Sequence, residues 1–268
     1  MLIQQKVIDM LIQKLKIHSL VLLLSTCLLT ATGVSVAAGQ GEWQYGGDIY
    51  LWGAGIESEV GATGQDIDVS FNDILDNLDI AIMGGLGAKK DKLMLYSDFV
   101  YMKIEDSEKG SYTGRDGFVS VNGKLSVEVE SWVVQPMAAY EVYKSPKVSI
   151  DLAAGARYLW VEASSKLEIS DPRRNLKAKI TESDNFLDGV VGVRSTFNLS
   201  DKWDAVVYVD GGGGDSDGTW QGIASVNYQF DNVQGLLGYR YLKWKFDDKV
   251  ALDDMEISGP YMGIKFAF

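Results

Sequence analysis

Residues 148–160 read VSIDLAAGARYLW and alternate between two kinds of side chain. One face carries Val148, Ile150, Leu152, Ala154, Ala156, Tyr158 and Trp160, and the other carries Ser149, Asp151, Ala153, Gly155 and Arg157. A period of two residues is that of a β-strand, whose successive side chains point to opposite faces. Because one face bears charges and the other only groups compatible with lipid, the stretch predicts a strand of a membrane β-barrel.

The same alternation recurs along the chain between stretches rich in turn-forming residues. The candidate strands are Trp43 to Ile56, Ile80 to Lys89, Leu93 to Ile104, Lys124 to Val142, Val148 to Val161, Phe186 to Leu199, Trp203 to Gly212, Thr219 to Phe230, Val233 to Trp244 and Met255 to Phe268. Single-chain bacterial barrels have an even number of antiparallel strands. The sequence therefore predicts an all-β fold, a closed up-and-down transmembrane barrel of about ten strands, with eight or twelve as alternatives.

The connections between these strands differ in length. Short ones such as Lys90-Asp91 and Asp231-Asn232 are expected on the periplasmic side, and the longer Glu105 to Gly123 and Ala163 to Asn185 as external loops. Phe71 to Leu78 has apolar residues at helical spacing and predicts a short helical turn in the first external loop. Pro136 lies inside a candidate strand, where its missing N–H should interrupt the ladder unless a bulge or an edge accommodates it.

The amino-terminal segment has a different character from the rest. Lysines precede the apolar run Leu20 to Leu29, and small residues ending at Ala37-Ala38 follow it. This order is typical of a secretory signal peptide, so we expect residues 1–38 to be removed and residues 39–268 to form the barrel. The alternative is an amphipathic helix that stays on the protein. Removal would take away the only Cys, Cys27, and the only His, His18.

Composition narrows the partners. The formal net charge is −12, and loss of the first 38 residues, which hold three Lys and one Asp, makes it more negative. Such a chain repels nucleic acid.

Beyond the first forty positions we find no apolar run of the roughly 20 residues that a spanning helix needs. A soluble β-sandwich or a lipocalin-like barrel would give the same alternation. The placement of aromatic residues and the carboxyl end of the chain distinguish a membrane barrel from these soluble folds.

Aromatic residues cluster near the ends of the candidate strands, as in Trp43 with Tyr45, Tyr158 with Trp160, and Tyr228 with Phe230. Rings at the two headgroup levels form the girdles of membrane barrels, although aromatic residues also favour strands in general. At the carboxyl end, the candidate assembly signal consists of Tyr261, Met262, Ile264, Phe266 and Phe268, and the last four of these lie on one face. This end resembles the insertion signal of outer-membrane proteins, which the barrel-assembly machinery reads.

Four stretches carry a wider resemblance, over nearly the whole mature segment, to a group of uncharacterised proteobacterial outer-membrane proteins. They are Asp68 to Asp79, Gly155 to Tyr158, Gly238 to Leu242 and Gly259-Pro260. The resemblance implies a barrel in the cell outer membrane but no reaction. With that location we expect outer-membrane lipid and lipopolysaccharide, the barrel-assembly machinery and periplasmic chaperones as partners.

Several site types are not supported. The acidic run from Asp66 begins like a calcium loop, but Phe71 stands where that loop needs Gly and Asn77 where it needs Glu. The glycine-rich Gly211 to Gly218 has no following Lys-Ser or Lys-Thr and predicts a tight external hairpin. We expect no metal, cofactor or catalytic residue, since the families of outer-membrane enzymes employ a His that this mature chain lacks. A lipid-modifying enzyme is the least favoured function.

Charged residues of both signs are predicted to point into the barrel from several strands. They are Asp98, Asp151, Arg157, Asp188, Arg194, Asp210 and Arg240. A barrel of about ten strands has a narrow lumen, so these side chains are expected to meet. The favoured function is a structural or surface-binding barrel with a largely plugged lumen, and the alternative is a narrow, cation-preferring porin.

Overall fold

A computed structural model gives the structure, which describes residues 41–60, 65–69, 72–73, 78–113, 120–170, 175–246 and 254–267. Nearly all of these residues lie in strands. The strands are β1 (Gln44–Trp52), β2 (Gly55–Val60), β3 (Gln65–Val69), β4 (Leu78–Lys90), β5 (Leu93–Thr113), β6 (Ser120–Lys144), β7 (Val148–Ser170), β8 (Asn175–Asn198), β9 (Trp203–Gly214), β10 (Gly218–Gln229), β11 (Val233–Lys245) and β12 (Asp254–Ala267).

The strands close into one antiparallel barrel. From β4 to β12 each strand pairs with the next in the sequence, and β1 completes the circle by pairing with both β4 and β12. The strand is interrupted between β1 and β2, at Gly53, but both segments pair with β12. The outer segment β2 pairs with β3, on the side where β1 pairs with β4. The barrel therefore has ten strands, which confirms the predicted fold class.

The outer surface of the barrel is apolar. Leu152, Val191 and Ile264 are among the large apolar side chains that lie exposed on it. Aromatic residues border this belt at both ends. The outer border contains Tyr101, Trp132, Trp160, Trp220 and Tyr241, and the inner border contains Trp43, Tyr143, Trp203, Tyr228 and Phe230. Such a surface is suited to lipid between two headgroup layers, because the strands pair around the whole circle of the barrel and the amphipathic rings sit at the interfaces.

The prediction of two long external loops is wrong. Residues 105–113 and 120–128 continue β5 and β6 as one ladder, and residues 163–170 and 175–182 continue β7 and β8. These extensions stay paired because alternation persists beyond the belt, with charged residues replacing apolar ones on the outward face. The outward row changes at Lys103, Glu130 and Glu162, which lie side by side. A four-stranded sheet, β5–β8, thus projects beyond the membrane-facing belt.

Two further expectations are only partly met. Pro136 lies on the lipid-facing side of β6, where its register with β5 continues at Ser97, while its pairing with β7 is interrupted. Gly155 lies beside it on β7, and a Cβ there would come within 2.2 Å of the Pro136 carbonyl oxygen. The strands therefore meet closely without a bulge at this point. Of the predicted helical turn, residues 72–73 are helical, Leu78 begins β4, and residues 71 and 74–77 lie outside the described residues.

Candidate functional site: the barrel lumen

The predicted inward charges come from β5, β7, β8, β9 and β11, and the structure buries every one of them. Asp98, Arg157, Asp188 and Arg240 are fully buried, and Arg194, Asp210 and Asp151 are nearly so. On each of these strands the alternation that exposes the lipid-facing residues turns these side chains to the interior. Their contacts divide them between a central cluster, a periplasmic cluster and the outer rim.

The central cluster is built around the Asp210 carboxylate. Arg157 Nη2 lies 2.7 Å from each of its oxygens. The Tyr208 hydroxyl donates to the same carboxylate at 2.7 Å. Gln135 and Gln221 add amide donors at 3.1 Å. Charge-assisted bonds of this kind are the strong ones, and here the carboxylate lone pairs are occupied by donors from four strands.

Arg157 and Arg240 extend this cluster across the lumen. Arg157 also donates to Thr219 Oγ1 at 2.6 Å and lies 5.8 Å from the Trp244 ring centroid. Arg240 donates to Gln221 Oε1 and lies 4.7 Å from the Trp52 ring centroid. The described partners of Arg240 are therefore an amide and an aromatic face, whereas Arg157 pairs with a carboxylate.

A second cluster lies at the periplasmic end. Arg194 Nη1 is 3.2 Å from Asp151 Oδ2 and 3.9 Å from the sulfur of Met94. Asp204 accepts from Asn227 and Gln234, each at 2.6 Å. Asp48 and Lys265 are buried at the same end. Sequence reasoning missed Asp48, Asp204 and Lys265, although each lies at an inward position of its strand's alternation.

Two further predicted residues lie on β5 and β8. Asp98 accepts a hydrogen bond from the Tyr50 hydroxyl at 3.0 Å. Asp188 binds the outer turn after β9, where it accepts from the Ser216 N–H at 3.0 Å and from its hydroxyl at 2.8 Å. Asp188 thus holds a rim turn in place and does not take part in the described contacts of the central cluster.

Above the central cluster the lumen is apolar, which the sequence reasoning also missed. Leu159, Leu242, Trp244, Met255 and Ile257 have no exposed surface. They continue the inward rows of β7, β11 and β12 beyond Arg157 and Arg240, so extending the period-two pattern by one or two residues would have found them.

The residues of the predicted assembly signal divide between the two faces of β12. Met262 and Ile264 lie exposed on the lipid-facing side, whereas Tyr261 is buried inside the barrel. Phe266 is partly buried beside β1, and Phe268 lies outside the described residues. Tyr261 contacts Tyr50 edge-on, with ring centroids 6.4 Å apart, so Tyr261 is part of the packing inside the barrel.

In the described part of the chain, no group of three or more His, Cys, Asp or Glu side chains is arranged to hold a metal ion. No helix there is long and apolar enough to span a membrane. Residues 1–40, which contain the predicted signal peptide, lie outside the described residues.

Comparison with known proteins supports the fold and identifies no family. No protein-family model matches the chain, and no curated protein matches it. The outer-membrane protease OmpT of Escherichia coli has a similar solved structure, with a TM-score of 0.50 and 8% identity over 84% of this chain and 97% of that one. The translocator domain of the autotransporter NalP of Neisseria meningitidis matches with a TM-score of 0.37 and 12% identity, over 84% of this chain and 88% of that one.

The fold is that of an outer-membrane β-barrel. With the apolar belt and its aromatic borders, this fold confirms the predicted outer-membrane location. At identities this low the likeness extends to the fold alone. The resemblance of the sequence to one particular group of outer-membrane proteins stays a prediction.

Proposed function

We propose that this chain is a non-conducting outer-membrane barrel whose role lies at the cell surface. The observation that carries the proposal is the filled lumen. The side chains that lie fully buried across it include Trp244, Arg157, Arg240, Tyr208, Leu159, Leu242, Met255, Ile257 and Gln135. A ring of large side chains with no accessible surface leaves no room for a hydrated ion, because interiors of this kind are close-packed.

The plug has two layers with different physical character. In the central layer, opposite charges are held by hydrogen bonds between Arg157, Asp210 and their neighbours. The layer above is apolar. An ion crossing the barrel would have to displace both, and it would lose its hydration in the apolar layer without finding a replacement donor or acceptor.

The alternative, a narrow cation-preferring porin, requires the central residues to stand apart around water. A planar-bilayer recording of the purified protein, with an established porin as positive control, distinguishes the two functions. We expect almost no current from the wild type. Steady ohmic current with cation preference would overturn the closed barrel and support the porin.

The Arg194→Ala variant is a second test that distinguishes a plugged barrel from a porin. In a plug, this change leaves Asp151 buried without its partner, and we expect a loss of about 3 to 5 kcal/mol in unfolding free energy, the range for breaking a buried pair. In a hydrated pore, it would alter ion selectivity and have little effect on stability. Thermal melts and selectivity measurements on the same preparation separate these outcomes.

The likeness to the protease OmpT, at 8% identity, is a likeness of fold and supports no proteolytic activity for this chain. The sequence from Gly41 onward contains no His. A surface-binding barrel is favoured over an enzyme by the sheet β5–β8, which presents a large polar surface beyond the belt.

A further inference from the structure

The outer part of β8 is an unpaired sheet edge. Its pairing with β9 begins at Asp188, opposite Gly214, whereas its pairing with β7 extends outward to Asn175. Residues 176–185 are all exposed, and among the described residues no strand lies along their outer side. An exposed edge of this length is a template for pairing with another strand.

The direction of the backbone groups on this edge follows from Leu187. Its N–H donates to Asp215 Oδ2 at 2.9 Å, and its carbonyl accepts from the Asp215 N–H at 3.1 Å, so both groups point away from β7. In an antiparallel ladder this direction alternates from one residue to the next. The outward-pointing groups of the free edge therefore belong to the odd-numbered residues, Lys177, Lys179, Thr181, Ser183 and Asn185.

The two faces beside the edge differ in chemistry. On the side continuous with the lumen, Leu176 is 60% exposed and Ile180 65%, with Ala178 exposed between them. On the opposite side, Lys177 and Lys179 are followed by the polar Thr181 and Ser183, and Lys179 lies opposite Lys166 on β7. Glu168 pairs with Lys177 at 2.8 Å and Lys166 at 3.2 Å, and these bonds hold the pKa of Glu168 below its ordinary value. Three lysines and one glutamate leave this side positive.

The other edge of the projecting sheet is protected. Beyond Ile104, β5 carries Glu105, Asp106 and Lys109, so charges stand on both of its faces. Charged residues on both faces are a common defence of sheet edges against pairing. On the lumen-continuous side of the β8 edge, Glu182 and Asp184 are charged, but the outermost positions, Leu176, Ala178 and Ile180, carry no charge.

We propose that the β8 edge binds an extended polypeptide segment of another protein outside the cell, by strand addition. The segment would alternate apolar residues, which pack on Leu176 and Ile180, with acidic residues, which meet Lys177 and Lys179. Backbone hydrogen bonds supply affinity in this mode, and alternate side chains supply specificity. The inference deepens the surface role proposed above and rests on it.

A second copy of the chain in the same membrane fits the edge poorly. Barrel strands tilt by about 35–45° from the membrane normal. In two copies related by a twofold axis along that normal, the two tilted β8 edges would cross each other. Antiparallel pairing across such an axis requires strands that lie perpendicular to the axis. A separate extended segment can align with the tilted edge freely.

The test uses the full chain in lipid nanodiscs and a short fluorescent peptide of alternating valine and glutamate. A matched peptide with lysine in place of glutamate is the control for charge. We expect saturable binding of the glutamate peptide only, together with slowed amide exchange at the odd-numbered residues from Lys177 to Ser183. Absence of saturable binding would overturn the proposal.

Two variants at one position separate the backbone from the charge. Lys179→Pro removes an outward N–H without touching the β7 ladder, and a proline is tolerated at such an edge position. Lys179→Ala removes only the charge. We expect a further loss of roughly tenfold in affinity for Lys179→Pro beyond Lys179→Ala, the effect of about one hydrogen bond. Equal affinities of the two variants would refute strand addition.

The outcomes also separate this inference from the closed lumen. Both variants should be as non-conducting as the wild type, because residue 179 lies outside the belt. A conducting wild type that binds the peptide would refute the closed barrel alone, and a silent wild type without binding would refute the edge alone. Amide protection that appears without peptide and grows with protein density would assign the edge to a second copy and overturn our proposal.

Discussion

At the scale of single residues, the stability of the lumen depends on the pairing of Arg157 with Asp210. Arg157→Ala would leave a carboxylate buried without its main donor, and we expect it to lower the unfolding free energy by about 3 to 5 kcal/mol. Urea unfolding in detergent measures the loss. The double change Arg157→Met with Asp210→Leu removes both charges and should recover much of it. A double variant as unstable as the single one would contradict this account.

Ala154 offers a test of the lipid-facing side at one position. It lies exposed in the belt on β7, so an arginine there would enter the hydrocarbon, and Ala154→Arg should cost roughly 2 to 4 kcal/mol. Ala178→Arg on β8 is a matched control, because that alanine is exposed beyond the belt. Folding measured in lipid vesicles should be impaired by the first change only. An inward arginine is a poor control here, since the lumen is filled.

At the scale of elements, the contact between β6 and β7 requires a glycine. A Cβ at Gly155 would lie 2.2 Å from the Pro136 oxygen and 2.5 Å from the Met137 sulfur. Gly155→Ala should therefore force the strands apart and cost about 1 to 3 kcal/mol, as overpacking does. Gly222→Ala on β10 is the control, because a Cβ there meets its nearest neighbour, in Trp220, at 3.8 Å. Equal melting temperatures of the two variants would contradict a tight contact.

The strand β12 carries a prediction about assembly that stability does not test. If Met262 and Ile264 on its lipid-facing row, together with Phe268, form the signal that the assembly machinery reads, deleting Phe268 should reduce insertion and increase periplasmic degradation. Deletion of Lys249, which lies between β11 and β12 in the sequence, is the control. Pulse-chase fractionation measures both. Equal insertion of the two deletion variants would count against the signal.

At the scale of the whole molecule, a closed barrel in lipid has a characteristic behaviour. Because the ladder closes through β1 and β12, no strand edge frays within the belt, and unfolding in detergent should require heat. We expect recovery in the outer-membrane fraction and a shift in gel migration on boiling. Recovery of the protein in the soluble periplasmic fraction would contradict the membrane assignment.

Much of this architecture is determined by the sequence itself. The alternation in residues 148–160 establishes both the strand and its two environments, since a β-strand turns successive side chains to opposite faces. The same local rule yields the ten-strand count and the inward direction of Asp98. Alternation cannot show where the membrane ends, however, and the ladders of β5–β8 run past the belt into segments that polarity alone identified as loops.

Only the tertiary structure decides which inward side chains meet. Arg157 lies with Asp210, 53 residues away, because strand tilt and stagger bring β7 and β9 to one level of the lumen, although β8 separates them in the ladder. The same stagger places Arg240 beside Trp52 and moves Asp188 to the rim. The sequence by itself determined which residues face inward, because direction is a local property of the strand. Their partners depend on the closure of the whole barrel, which sets the relative height of every strand.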